Sequence, residues 1–99
     1  MKLPLPSDTR GRVVVTVMGE DHVGIVARIA KALADHNVSI ADISQKLTGT
    51  LFLMVVVGDL ARATCSLEEL KEAVGQEARS LGVSAAVQHE KLFKAMHRI

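Results

Sequence analysis

Four histidines, one cysteine and a glycine-flanked acidic loop hold most of the chemistry open to this sequence. His22, His36, His89 and His97 form no HxxxH pair and have no third ligand close by, so no zinc centre is expected. Cys65 precedes a helix start, a setting that can activate a thiol, but no histidine base can be placed beside it. The serines lie in no nucleophile elbow. A phosphate-cradling hydrolase would need an arginine in its loop and an asparagine to position water. Here Arg28 lies a turn into a helix, and the only asparagine, Asn37, is outside any central strand. Paired cysteines of the kind a metallochaperone uses are absent. The sequence therefore predicts no enzyme, no metal site and no cofactor.

The remaining candidate is the loop Gly19-Glu20-Asp21-His22-Val23-Gly24. A strand that turns through glycine into a helix start aims several backbone N–H groups at one point, where the helix dipole also favours an anion. A small carboxylate would suit that point, and Asp21 beside it could face an ammonium. Together these requirements describe a free amino acid. A purely structural reading is equally open at this level: Asp21 caps the helix and Gly24 permits close packing.

The elements that must position this loop are legible from periodicity. Arg12–Met18 is rich in β-branched residues and stops at Gly19, which predicts a strand. From Gly24 to His36, Ile25, Ile29 and Leu33 repeat at helical spacing, with Asp21 or His22 near the N-cap and Asn37 at the stop. Val38–Leu47 is extended. Its apolar phase switches between Ile40 and Ile43, which predicts a bulge. Thr48-Gly49-Thr50 makes a three-residue hairpin loop into Leu51–Val57, which Gly58-Asp59 closes. Ser66-Leu67-Glu68-Glu69 is a capping box opening a helix that stops at Gly82. Val83–Gln88 reads as a fourth strand and Lys91–Ile99 as a short helix. Residues 1–11, with both prolines, read as a flexible lead-in. Residues 12–99 read as one domain that includes the terminal helix over 90–99.

This order predicts an α+β ferredoxin-like βαββαβ sandwich: a four-stranded antiparallel sheet, both helices on one face, and a short extra C-terminal helix. The first and third strands would be central. Both are nearly unbroken apolar runs, whereas a sheet with one face in water should alternate. Both faces are therefore expected to be covered, the second by the terminal helix, a partner subunit, or both.

Composition narrows the partners. The 99 residues contain no Trp, no Tyr and two Phe, and the net charge is +1. Such a chain offers neither aromatic platforms nor a basic field for nucleic acid. Its longest apolar run, Leu51–Val57, is far below the ~20 residues that cross a bilayer. The single cysteine and the lack of a signal-peptide core point to the cytoplasm.

The loop with Ile25-Val26 behind it, and the stretch Ala34-Asp35-His36-Asn37-Val38-Ser39-Ile40-Ala41-Asp42-Ile43, resemble the ACT domain, a small ferredoxin-like regulatory module of amino-acid metabolism. The likeness covers about residues 12–90. It is strongest to small single-ACT-domain proteins of bacteria and archaea, relatives of the glycine cleavage system regulatory protein, whose apolar helical ending is similar to Leu92–Met96. The resemblance implies a homodimer with a small-molecule effector, an amino acid, held between subunits, and a possible protein partner that receives the signal. Ligand contacts would come from Gly19, Asp21, His22, Val23, Gly24 and Ile25 of one chain, with backbone amides at Gly24 and Ile25, and from Ser39 and Ile40 of the other. Val23 stands where the family often has Pro, and Ser39 where effector-binding members often have Asn. The competing reading is a structural interaction module with a vestigial ligand site.

Overall fold

The computed structural model describes residues 10–96. Within them the elements run β1 (Arg12–Glu20), α1 (Ile25–Asp35), β2 (Ser39–Thr48), β3 (Leu51–Asp59), α2 (Leu67–Leu81), β4 (Ser84–His89) and α3 (Glu90–Met96). The expected α+β ferredoxin-like sandwich is what forms. The sheet order is β2-β3-β1-β4 with every neighbouring pair antiparallel, so β1 and β3 are central. The lead-in over residues 1–9 and the end of the terminal helix at 97–99 lie outside the described residues.

One face of the sheet holds the core. Val13, Val15 and Val17 of β1 and Phe52, Met54 and Val56 of β3 point to the same side and meet Ile25, Ile29 and Leu33 of α1 and Leu67, Leu70 and Val74 of α2. Burying each such side chain is worth about 1.5–3 kcal/mol, enough to fix the register that puts them inward. Phe52, the one aromatic residue on a central strand, is consumed by this core.

The apolar phase switch has the expected cause: the β2–β3 register shifts between Ile40 and Asp42. Asn37 takes the left-handed conformation at φ 58° just past α1. The capping box is complete, with the Ser66 hydroxyl accepting from the Glu69 amide at 3.1 Å and the Glu69 carboxylate accepting from the Ser66 amide at 2.8 Å.

Two expectations are corrected. β1 does not end at Met18 but runs through Gly19 to Glu20, because Gly19 pairs with Phe52 and Glu20 with Leu51. The hairpin turn is the two residues Gly49-Thr50, since Thr48 still pairs with Leu51. On the second sheet face, the expected cover by the terminal helix is present in part among the described residues. Val14, beneath α3, is 7% exposed, whereas Met18 is 47% exposed four residues further along the same strand.

Candidate functional site

The loop between β1 and α1 is tied down on three sides. The Asp21 amide donates to the Thr50 carbonyl at 2.8 Å, which fastens it to the hairpin turn. Both ring nitrogens of His22 face carbonyl oxygens, Nε2 at 2.7 Å from Leu81 and Nδ1 at 3.2 Å from Val23, so the ring spans to the end of α2. Gly19 lies so close to the α2–β4 corner that a Cβ there would sit 2.7 Å from Val83 Cγ1. No other residue fits without moving that corner.

The helix start differs from its expected form. Neither Asp21 nor His22 caps α1. The N-cap is Gly24, at φ 99° and ψ −7°, and among the described residues no side chain caps the first turn. That backbone conformation suits glycine, because an L side chain there is strained. The first intrahelical bond runs from the Arg28 amide to the Gly24 carbonyl at 2.9 Å. The amides of Ile25, Val26 and Ala27 therefore precede the helical ladder, and the first turn contains no acidic residue. Such an end attracts an anion through its free donors and the helix dipole. Arg28 does not serve it, because its guanidinium bonds Glu77 at 2.8 Å and Ser80 at 2.9 Å and clamps α1 to α2.

Of the expected site residues, Gly19, Asp21, His22, Val23, Gly24 and Ile25 are gathered in this corner. Val23 is 99% exposed, while the Ile25 side chain is in the core and leaves only its amide available. Ser39 and Ile40 are elsewhere. Ser39 pairs with Asp59 at one end of β3, whereas Gly19 pairs with Phe52 near the other. Seven residues of extended chain separate those rungs, roughly 23 Å at ~3.3 Å per residue. Within one chain the two halves of the expected site do not meet.

The edge strand bears on that gap. All ten residues of β2 are exposed, and among the described residues its outer side faces no other strand. Asp42, Ser44 and Lys46 project on the face of the sheet away from α1 and α2, in register with Val57, Val55 and Leu53. Residues missed in the sequence now join the corner: the Thr50 carbonyl, the Leu81 carbonyl and Val83. The glycine in the 48–50 turn was the only hint of the first, and nothing local marked the other two. Among the described residues, no three His, Cys, Asp or Glu side chains gather where they could hold a metal ion. No helix among them is long and apolar enough to cross a membrane.

The class is a ferredoxin-like α+β sandwich whose first helix starts at a glycine beside β1. The sequence profile of the ACT domain matches residues 11–88, and this chain belongs to the ACT domain family. A UPF0237 protein of Methanopyrus kandleri is 48% identical over 88 residues, which span 89% of this chain and 98% of the relative. Among solved structures, an ACT domain protein from Streptococcus pneumoniae superposes with a TM-score of 0.73 at 28% identity, covering 87% of this chain and 97% of that one. A structure described as a candidate transcriptional repressor of the glycine cleavage system shares the fold, with a TM-score of 0.68 at 19% identity over 88% of this chain and 51% of the other.

Proposed function

We propose that this protein is a non-catalytic regulatory domain that binds a small amino acid between two copies of itself and passes the bound state to a protein partner. The observation that carries the reading is the bare β2 edge together with the separation of the two half-sites. An unpaired strand of ten residues is a template for pairing with another chain. Two β2 strands running antiparallel about Ser44 would set Asp42 of each against Lys46 of the other, a favourable cross-strand pair on both sides. The same register would bring Ile40 of one copy beside Thr48 of its partner, next to the turn whose Thr50 carbonyl holds Asp21. The uncoupled half-sites then become one.

In that composite site the amides at the start of α1 would receive the ligand carboxylate, and Asp21 would face the ammonium. Ser39 and Ile40 from the other copy would contact the side chain and close the site. Because Ser39 is short, the ligand is expected to be small and held mainly by backbone groups. Binding across the edge would stiffen the pairing of the two chains, which is how a non-catalytic module can signal to a partner.

Thermal unfolding against each of the twenty amino acids tests this reading. A ligand at ~100 times its Kd adds about 2.7 kcal/mol. At least one amino acid should raise the midpoint, and Asp21→Ala and Gly24→Val should each remove that rise while the fold persists. If none shifts the wild-type midpoint while the dimer stays intact, the protein is an interaction module with a vestigial site. If the shift survives both substitutions, the site lies elsewhere.

A further inference from the structure

The sheet face opposite α1 and α2 is half covered and half bare. At one end α3 packs on β1 and β4, and Val14, Val55, Val57, Phe93 and Lys94 line a cleft of about 280 Å³ beneath it. At the other end Met18, Leu51 and Leu53 are 47%, 47% and 37% exposed, side by side on neighbouring strands. Exposed apolar side chains clustered on a central sheet surface mark a contact site. We propose that the partner for this face is a second copy of the chain, which lays its own α3 on Met18, Leu51 and Leu53 and receives the same in return.

Three features select a second copy. The first is symmetry. Along β1 the residues on this face read Arg12, Val14, Thr16, Met18 and Glu20, a cation and an anion flanking two apolar positions about a central threonine. A two-fold rotation about Thr16 exchanges the ends. On β3 the same rotation carries Val57, beside Val14, onto Leu53, beside Met18. The covered half of each copy then faces the bare half of the other, which is the condition for an isologous contact. The second is shape. A helix is about 10 Å thick, so α3 is a ridge and the bare half a recess of matching depth. Two such helices side by side would fill one layer between two sheets.

Charge is the third. Within α3, Lys91 and Lys94 stand against Glu90, a net +1, and Lys94 pairs with Glu90 at 3.4 Å. Lys91 and Lys94 are exposed, and Met96 beside them is 59% exposed. The bare end carries the exposed acids Glu20 and Asp21 against Lys46 beside Leu53, a net −1. A helix of net positive charge would therefore meet an end of net negative charge. Four strands at ~4.8 Å spacing and about nine residues of length give a contact of roughly 600 Å² per copy, near the ~800 Å² of a standard interface. The contact leaves the β2 edge free and is independent of edge pairing. Both together make a tetramer.

Sedimentation and native mass spectrometry of the full chain test the inference. Wild type should reach tetramers, and Leu53→Lys should stop at dimers with its circular dichroism unchanged. Glu20→Lys should weaken tetramers about tenfold, since like charges then face one another, and adding Lys91→Glu in the same chain should restore them. This charge cycle uses only exposed positions and does not depend on Leu53→Lys folding. If wild type and Leu53→Lys are both dimers, the face contact is wrong and edge pairing stands. If wild type is a dimer that Leu53→Lys converts to a monomer, the face contact stands and edge pairing is wrong. Tetramers that survive both Leu53→Lys and Glu20→Lys overturn the inference.

Discussion

Replacing Gly24 with alanine isolates the backbone conformation that opens the candidate site. A Cβ added at Gly24 meets nothing within 4 Å, so no neighbour has to move. What changes is the chain itself, held at φ 99° and ψ −7°. An L residue at positive φ is disfavoured by about 1–2 kcal/mol. Alanine also narrows the unfolded ensemble, which returns roughly 0.4–1 kcal/mol. The net loss should be about 1 kcal/mol, which lowers the melting midpoint by ~4–8 °C in a domain of this size. Urea and thermal unfolding followed by circular dichroism would measure it. Chemical synthesis supplies the control, because D-alanine at position 24 finds positive φ natural and keeps the benefit in the unfolded state. The D-alanine protein should be at least as stable as wild type. If L-alanine leaves stability unchanged, or D-alanine is no better than L-alanine, the conformation assigned to Gly24 and the site built on it are wrong.

Other substitutions probe the surroundings. Gly19→Ala places a Cβ 2.7 Å from Val83 Cγ1 and 3.2 Å from its Cα, so overpacking should cost about 1–3 kcal/mol in urea unfolding, and Val83→Ala should recover part of it. Ser66→Ala should cost about 1 kcal/mol by thermal melting, because it removes the N-cap of α2. The Ser66 amide and hydroxyl hold the Glu69 carboxyl below its ordinary value. Its contribution is therefore present above the unfolded-state value and is lost as pH falls through the lowered folded value. Urea midpoints followed into acid should fall less steeply for Glu69→Gln than for wild type; equal slopes would refute this. Asp42→Lys should dissociate edge-paired copies in sedimentation, and Lys46→Asp in the same chain should restore them. Dimers indifferent to both changes would rule out that register.

Much of the fold was legible because local and global signals agree. Ser66 and Glu69 define a cap with their own side chains, and the Ile40–Ile43 phase slip has one structural solution, an extra residue in β2. The start of α1 was misread for an equally physical reason. Asp21 has the chemistry of a cap, but its amide is held by Thr50, far along the chain, and the helix begins three residues later on a glycine whose conformation no neighbour announces. What covers the second face of the sheet was left open, because a hydrophobic run shows that a surface wants cover and not what covers it. Val14 and Met18 have the same preference, yet only Val14 lies under α3. The proposed site was legible only as two fragments. The loop and Ser39–Ile40 each carry a recognisable pattern, whereas their placement at opposite ends of the sheet follows from strand order and pairing.

A complementation measurement tests the composite site most directly. One chain would carry Gly24→Val, which damages the loop, and another Ile40→Asp, which damages the start of β2 at an exposed position. Each alone should fail to bind the amino acid that stabilises wild type. Mixed and refolded in equal amounts, half of the dimers pair the two chains, and each such dimer has one site with both parts intact, so calorimetry should recover about a quarter of the wild-type sites. Recovery of that fraction is the result predicted for a ligand held between copies. A mixture as silent as either parent would show that no site is shared, and would contradict the account.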